Sequence, residues 1–367
     1  MQTRNYLVTI KKIDWLLLSG VLLLVFFGLA AIYTLNISKD NLQINNFTRQ
    51  AIFFGVGLIL FFGMIIIDYR FFGAYSFIFY LFGGALLLLV LIFSQPIRGS
   101  TAWFTFFGQT FQPVEVAKIT LIIFLSKYFS DHQAEIYRLK QIFISSLIVI
   151  PYLVLVLLQP DFGSLIIVLF IWLGFLLINK TRRWHILLLI ILLIIVAVGS
   201  WLFILQDYQK DRILNFINPN RDPLGSGYNP LQSIIAVGSG GVFGRGLGLG
   251  TQSQLNFLPV AEKDFIFAVI AEELGFVGSF LLLVLYFFVF LRLFRALRLA
   301  SSNFALFLLC GVILSLFGQM FINIAMNLGI LPVTGIPLPL VSYGGSSLIS
   351  SLLMLGLAQS VIARQKI

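Results

Sequence analysis

The chain of 367 residues is 59% hydrophobic and only 10% charged, and its mean hydropathy is +1.02. A soluble globular domain carries about 25% charged residues, so this composition excludes an ordinary soluble enzyme. The net charge of +10 would suit a nucleic-acid-binding protein. Its distribution along the chain is instead typical of membrane topology, so no nucleic-acid partner is expected.

Runs of about 20 apolar residues predict membrane-spanning helices, and the chain contains about ten such runs. They cover residues 13–35, 48–67, 76–94, 114–130, 141–158, 162–178, 184–205, 265–291, 304–327 and 345–363. The fourth run is the weakest, because Glu115 and Lys118 interrupt it. The sequence therefore predicts an all-α polytopic membrane protein that forms a single domain over residues 1–367.

The positions of the basic residues predict the topology. If the N-terminus lies inside the cell, ten spans return the C-terminus to the same side. The inside segments then hold 15 of the 24 Lys and Arg residues and the outside segments hold 8. By the positive-inside rule, this split predicts a multi-pass protein of the cytoplasmic (inner) membrane with both termini cytoplasmic. It also places the polar insertion at residues 206–264, between the seventh and eighth spans, outside the cell.

This insertion is too long to be a simple connection. Loops of more than about 15 residues are uncommon and are usually functional or disordered. The glycine tract from Gly238 to Gly250 lacks the spacing of a dinucleotide-binding motif and has no Gly-Lys-Ser/Thr, so it is not a P-loop either. Glycine lets a backbone approach either a ligand or another helix closely, and both interpretations stay open.

Acidic side chains near predicted spans are functional candidates, because charge within a bilayer is costly. Asp264 is the strongest candidate, since it is the last polar residue before the eighth span, at that helix's outer entrance. Its carboxylate could cap the helix, where the helix dipole favours it. Alternatively, it could serve as a general base at the lipid–water boundary.

Other acidic positions leave two interpretations open. Glu115 and Lys118 lie three residues apart, so they share one face of a helix, where they either neutralise each other or line a site. Asp161 lies at an outside turn and either caps the sixth span or belongs to the site. Glu272 and Glu273, inside the eighth span, have either a structural or a catalytic role.

The segment from Pro332 to Ser347 cannot form a regular helix, because three Pro and one Gly occur within its first eight residues. Non-helical backbone at membrane depth must be buried in protein or line a wet cavity. We therefore expect this segment, with Ser342 and Gly344, to form the floor of a polar cavity.

Basic side chains on the outer side are candidates for binding an anionic group. They include Arg49, Arg98, Arg245 and Lys263. His132 and His185 lie far apart without ligand-spaced partners, so a His-based metal site is not expected. Cys310 is the only cysteine, which excludes an internal disulfide.

Four motifs together resemble the SEDS family (shape, elongation, division and sporulation), which also has ten spans. They are Q-P-V-E-V-A-K at 112–118, Q-P-D-F-G at 159–163, the stretch at 233–275, and Pro332–Ser347. The last segment, together with the preceding I-N-I-A-M-N-L-G-I, is more similar to the RodA elongation branch than to the FtsW division branch.

The resemblance implies an inverting peptidoglycan glycosyltransferase that polymerises lipid II, with Asp264 as its catalytic residue. It also implies that Glu115 and Lys118 form the family's polar pair in the fourth span. Polyprenyl lipid would occupy apolar grooves between spans, and a class B penicillin-binding protein is the expected partner. A divalent cation, Mg²⁺ or Mn²⁺, is a candidate cofactor, because it could clamp the leaving pyrophosphate.

Two other functions compete with this one. A flippase or transporter of a lipid-linked precursor would also contain intramembrane charges and broken helices. However, transporters commonly show interrupted segments in both halves of the chain, and these are not seen. A non-catalytic scaffold for a partner enzyme is the third possibility, and it predicts that Asp264 is dispensable.

Overall fold

The computed structural model describes residues 12–37, 46–94, 101–106, 109–132, 139–179, 227–255 and 257–365, together with scattered residues between 184 and 225. Its first elements are α1 Trp15–Ile37, α2 Asn46–Ile66, α3 Tyr69–Ala74, α4 Ser76–Phe93, β1 Phe104–Phe106, β2 Gln109–Phe111, α5 Pro113–Asp131, α6 Leu139–Leu158 and α7 Phe162–Ile178. The later elements are α8 Tyr228–Ser239, α9 Thr251–Gln254, α10 Ile266–Arg298, α11 Asn303–Asn327 and α12 Gly345–Ile362.

The structure confirms a polytopic all-α membrane architecture. Within the described residues, seven helices are long and apolar enough to cross a membrane, namely α1, α2, α4, α6, α10, α11 and α12. Helix α7 is apolar but has only 17 residues. Helix α5 forms where the interrupted fourth run is predicted. The predicted span at 184–205 lies mostly outside the described residues, so the count of ten stays a prediction.

The helices pack closely where one of them presents glycine. Helix α12 lies along α2, and a Cβ at Gly57 of α2 would stand 2.5 Å from Leu352 Cδ1. A Cβ at Gly356 of α12 would stand 2.8 Å from the Phe61 carbonyl oxygen. Apolar side chains gain little by leaving lipid, so membrane helices associate largely through close van der Waals packing. Small residues at the contacts allow that close approach.

Aromatic rings fill the space between α5, α7 and α11. The Phe129 and Phe175 ring centroids are 5.6 Å apart, and each lies 5.9 Å from the ring of Phe307. All three side chains are buried. This cluster fixes α5 and α7 against α11 near one end of the three helices. Their opposite ends support the candidate site.

Helix α10 is broken at Gly275, which has φ 67° and ψ −160°. The segment 240–250 is here called the glycine loop. Its backbone forms hydrogen bonds with the peptide groups that the break leaves unpaired on both sides. Arg245 N and Gly246 N donate to the carbonyls of Glu272 and Glu273, at 3.0 Å each. Phe276 N donates to the Gly241 carbonyl at 2.9 Å, and Val277 N donates to the Val242 carbonyl at 3.1 Å.

This pairing explains the glycine tract. A Cβ at Gly244 would stand 2.1 Å from the Glu273 carbonyl oxygen, and a Cβ at Gly275 would stand 2.3 Å from Gly244 N. Both glycines also have positive φ, which other residues rarely adopt. Of the two interpretations left open above, the structure therefore supports close backbone packing.

The insertion predicted as one long loop at 206–264 contains helical structure. Helix α8 packs against α10 and α11, and α9 packs beside α10. Ser233 of α8 donates to the Asn327 carbonyl at 2.9 Å, so α8 is fastened to the end of α11. Helix α8 has only 12 residues and is too short to span a membrane. For this reason composition alone indicated only a polar insertion.

Candidate functional site

Asp264 immediately precedes the N-terminal part of α10. The N-cap position belongs to Phe265, which makes no side-chain capping hydrogen bond. The cap interpretation placed Asp264 itself at that position, and the structure corrects it by one residue. The Asp264 side chain is partly exposed. Its Oδ2 lies 3.9 Å from where a Cβ at Gly335 would stand, so the carboxylate faces the Pro332–Ser347 segment.

Two buried asparagines hold the Asp264 backbone. Asn323 Nδ2 and Asn327 Nδ2, one turn apart on α11, donate to the Asp264 carbonyl at 2.9 and 3.0 Å. Asn323 Nδ2 also donates to the Ile336 carbonyl at 2.7 Å, and Ala268 N donates to Asn327 Oδ1 at 3.1 Å. The two amides therefore connect three chain segments at one point.

Sequence analysis did not identify these asparagines. The available signal was a pair of amides spaced i, i+4 inside an otherwise apolar span, which places both on one helix face. Buried amides need hydrogen-bond partners, so such a pair predicts contact with non-helical backbone.

Residues 332–344, here called the proline segment, connect α11 to α12 without helical structure. The predicted non-helical backbone is confirmed, and much of it is buried, including Ile336, Leu338, Val341 and Ser342. A Cβ at Gly28 in the middle of α1 would stand 2.3 Å from the Val341 carbonyl oxygen, so the segment reaches well below the helix ends. The predicted cavity above it stays a prediction.

Ser342 and Gly344 are fixed by a third buried amide that sequence analysis missed. Gln50 Nε2 of α2 donates to the Ser342 carbonyl at 3.0 Å, and Gly344 N donates to Gln50 Oε1 at 3.1 Å. The Ser342 hydroxyl accepts from Leu338 N and donates to the Lys263 carbonyl. Ser342 thus joins the proline segment to the residue before Asp264.

Arg49 and Lys263 meet at the ring of Tyr343. Lys263 Nζ lies 5.8 Å from the ring centroid, and the Arg49 guanidinium lies near enough to the Tyr343 hydroxyl to affect its pKa. Tyr343 N donates to the Glu262 carbonyl at 2.8 Å, which keeps the ring beside residues 262–264. Burial raises the pKa of Tyr343, although Arg49 opposes this rise, so the phenol stays protonated at neutral pH.

Glu115 and Lys118 form the expected ion pair in the first turns of α5. Lys118 Nζ lies 2.9 Å from Glu115 Oε1, and both side chains are almost fully buried. Glu115 Oε2 also accepts from the Ser350 hydroxyl of α12 at 2.7 Å. The mutual neutralisation that the spacing suggested is confirmed, and Ser350 connects the pair to the helix that follows the proline segment.

Asp161 is the N-cap residue of α7, as one of the two interpretations predicted. Its carboxylate accepts from Ser164 N at 3.0 Å and from Gln112 Nε2 at 2.8 Å. Gln112 N in turn donates to the Ser346 hydroxyl at 3.0 Å. Asp161 therefore caps α7 and is linked to Ser346 only through Gln112.

Glu272 and Glu273 have structural partners. Glu272 accepts from Gln252 N at 2.8 Å and Ser253 N at 3.0 Å, and so holds α9. Glu273 accepts from the Thr34 hydroxyl of α1 at 2.8 Å. Both residues are buried, so their carboxylates fasten α9 and α1 to α10 while their backbone carbonyls bind the glycine loop.

The remaining basic candidates lie apart from Asp264 or outside the described residues. Arg245 is exposed on the glycine loop, and its Nε donates to the Ser239 carbonyl at 3.3 Å. Its backbone partner Glu272 is eight residues beyond Asp264, roughly 12 Å along a helix axis. Arg98 falls outside the described residues.

The arrangement brings a carboxylate, two cations and a rigid non-helical floor to one end of the helix bundle, here called the site end. It can position a base beside an anion-binding patch, with Asp264 as the base and Arg49 and Lys263 as the patch. Within the described residues, no three His, Cys, Asp or Glu side chains are grouped so that they could hold a metal.

The chain is similar over most of its length to proteins of known name. It is 39% identical over 290 residues to the peptidoglycan glycosyltransferase MrdB of Escherichia coli K12, which covers 78% of each chain. It is 35% identical over 359 residues to the probable peptidoglycan glycosyltransferase FtsW of Thiomicrospira cyclica, which covers 95% of this chain and 91% of that one. Proteins named MrdB and FtsW thus have similar identities, so the RodA branch stays a prediction.

Two solved structures share the fold. One is from a study of a peptidoglycan synthase complex that coordinates polymerization and crosslinking, with a TM-score of 0.82 and 32% identity over 96% of this chain and 98% of that one. The other is the rod shape determining protein RodA of Thermus thermophilus, with a TM-score of 0.72 and 29% identity. The match covers 97% of this chain and 98% of that one. The cell cycle protein model of FtsW, RodA and SpoVE matches residues 14–367, and the chain therefore belongs to this family.

Proposed function

We propose that this chain, a peptidoglycan glycosyltransferase, polymerises lipid II into glycan strands with Asp264 as the general base. The observation that carries the proposal is the position of Asp264. Its peptide is held by two buried amides, the residue is partly exposed, and its carboxylate faces Gly335. A base needs a fixed backbone and a position that substrate can reach.

The reaction joins an acceptor sugar hydroxyl to the anomeric carbon of a lipid-linked donor. As the new C–O bond forms, Asp264 takes the hydroxyl proton, and the bond from the anomeric carbon to the pyrophosphate oxygen breaks. Attack opposite the leaving group inverts the anomeric centre. Lipid pyrophosphate departs with both bonding electrons, so positive charge beside it lowers the barrier.

Arg49 and Lys263 are the cations best placed to bind that pyrophosphate. Both lie against Tyr343, next to the residues that lead into Asp264. Lys118 is less suited, because it is buried and bonded to Glu115. We assign the Glu115–Lys118 pair to supporting the site through Ser350 rather than to binding substrate directly.

The flippase alternative is less well supported. Transporters commonly hold their substrate near the bilayer midplane, between repeats. Here the polar contacts around Asp264 lie where α11 ends and α10 begins. Lipid-facing apolar helix surface around such a site suits an enzyme whose donor and product keep polyprenyl tails in the bilayer.

We also propose that the site end is extracytoplasmic, that both termini are cytoplasmic, and that a class B penicillin-binding protein is the partner. The basic-residue split supports the orientation. Helix α5 offers a direct test, since Thr110 is exposed before its first residue and Asp131 is exposed at its last. With Cys310→Ser as background, an impermeant thiol reagent on intact cells should label Thr110→Cys and spare Asp131→Cys. The reverse pattern would overturn the orientation.

The test of function is polymerisation by the purified chain. The protein in detergent is given lipid-linked disaccharide-peptide, and the product is separated by length. Detergent removes sidedness, so a flippase or scaffold yields no polymer while a polymerase does. Absence of polymer from folded protein, even with the partner transpeptidase and Mg²⁺ or Mn²⁺ added, would contradict the proposal.

A further inference from the structure

The glycine loop carries large apolar side chains that the protein does not cover. Phe243 is 82% exposed, Leu249 is 68% exposed and Leu247 is 60% exposed. Scattered apolar residues on a soluble surface need no explanation, but a contiguous apolar patch marks an interaction site. The close backbone packing described above explains the glycines of this loop and leaves these side chains unexplained.

The depth of the loop in the membrane follows from contacts at the two ends of α1. Asp14, just before α1, pairs with Arg292 at 2.6 Å, and Thr34 near the other end donates to Glu273 at 2.8 Å. Roughly 30 Å of helix separate Asp14 from Thr34, which matches the ~30 Å hydrocarbon core of a bilayer. Glu273 therefore lies near the boundary of the hydrocarbon at the site end.

The loop is bonded to that same level. Gly246 N donates to the Glu273 carbonyl, and Gly241 and Val242 accept from the first peptides after the break in α10. Phe276 and Phe280, which follow the break, are 66% and 56% exposed, as expected of a helix face turned to lipid. The apolar surface of the glycine loop thus continues the lipid-facing surface of α10.

We infer that the glycine loop is seated in the leaflet at the site end, with Phe243, Leu247 and Leu249 in contact with lipid chains. The occupant of the patch is the bilayer itself, because the patch is continuous with a membrane-facing helix and lies at the hydrocarbon boundary. Exposed Arg245 lies between the apolar residues, where its guanidinium would meet lipid phosphate groups.

This arrangement has a structural consequence. The carbonyls that anchor the loop belong to the part of α10 that starts beside Asp264. Lipid contacts of the loop therefore hold one end of that short helical part, while Asn323 and Asn327 hold the other. The loop functions as a membrane anchor rather than as a free extracytoplasmic loop.

Spin labelling of the full chain in lipid nanodiscs tests the inference. On the Cys310→Ser background, a nitroxide is attached to Phe243→Cys and Leu249→Cys. Phe287→Cys on the lipid-facing side of α10 is the control for lipid, and Thr110→Cys is the control for water. All four positions are exposed, so the substitutions leave the core intact.

The readout is the collision rate of each label with oxygen, which concentrates in lipid, relative to a water-soluble nickel chelate. The labels at 243 and 249 should show a high ratio of oxygen to nickel collisions, as at 287. A ratio like that at 110 would show a water-exposed loop and overturn the inference. Low collision rates with both reagents would indicate cover by protein and would overturn it as well.

Discussion

The two ends of the helix bundle use polar groups differently. At the end that carries Asp14, carboxylates pair directly with arginines, as in Asp14–Arg292 at 2.6 Å and Asp68–Arg364 at 3.4 Å. Arg364 also donates to helix carbonyls at the end of α2. At the site end, Glu272, Glu273 and Asp161 accept from backbone N–H groups, hydroxyls and amides, and Glu115 pairs directly with Lys118.

This difference indicates what each end does. Paired charges at the Asp14 end fasten the helix termini to one another. At the site end, neutral groups satisfy the carboxylates and support non-helical backbone, while Arg49 and Lys263 contact a tyrosine. An end that supports irregular backbone and places two cations beside it is suited to an anionic substrate.

The largest effect outside Asp264 is expected at the buried ion pair. Lys118→Ala leaves Glu115 buried without its cation, and Glu115→Ala does the converse. Removing one partner of a buried pair costs about 3–5 kcal/mol. Each single variant should lose thermal stability and polymer yield, whereas the double variant should lose less than the sum of the two.

The measurement is a double-mutant cycle of melting temperature and polymer yield in detergent. Lys127→Ala is the control, because its pair with Asp131 on the same helix is exposed. Small, additive losses at Glu115 and Lys118 would show that the pair does not act as a unit.

The next effect is expected at the asparagine that holds Asp264. Asn323→Ala removes the amide donor of the Ile336 carbonyl, which costs about 1–3 kcal/mol if that group is left unsatisfied, and it removes one of the two amide donors of the Asp264 carbonyl. Because small misplacement of catalytic groups can reduce rates by up to about 100-fold, polymer yield per folded molecule should fall by about 10- to 100-fold.

Gln319→Ala, one turn away on α11, is the matched control, since Gln319 bonds to Ser315 rather than to the site. Both variants should lose some stability, but only Asn323→Ala should lose polymer yield per folded molecule. Equal loss of yield in both variants would show that Asn323 supports the helix packing rather than the position of Asp264.

The smallest effect on catalysis is expected at the opposite end. Asp14→Asn weakens two charge-assisted hydrogen bonds from Arg292, which are worth about 1.5–3 kcal/mol each. Melting temperature should fall while polymer yield per folded molecule stays near that of the unchanged protein. A selective loss of yield at unchanged stability would break the distinction between the two ends.

Much of the fold could be predicted from the sequence, because membrane spans depend on simple composition. The bounds of α1, α2, α4 and α7 agree with the predicted runs to within two residues. The break at Gly275 could not be predicted, since a single glycine in an apolar run is compatible with a continuous helix. It became visible only with the glycine loop that satisfies the freed backbone groups.

The candidate site was predicted in part, and the missing residues share one property. Asp264, Lys263 and Ser342 stood out as charges or as members of an irregular segment. Gln50, Asn323 and Asn327 are uncharged, lie in helices, and act by bonding to backbone distant in sequence. Sequence patterns report local structure, so the partners of such amides emerge only from tertiary packing.

The most direct test of the account is Asp264→Asn in the purified chain. Asn keeps the size of Asp and the carbonyl to which Asn323 and Asn327 donate, but its amide cannot take a proton at neutral pH. Because general-base catalysis contributes about 10²–10⁴-fold, polymer yield should fall by at least about 100-fold. Melting temperature and binding of the lipid-linked donor should stay near those of the unchanged chain. Near-normal polymer from Asp264→Asn would contradict the central claim that Asp264 is the base.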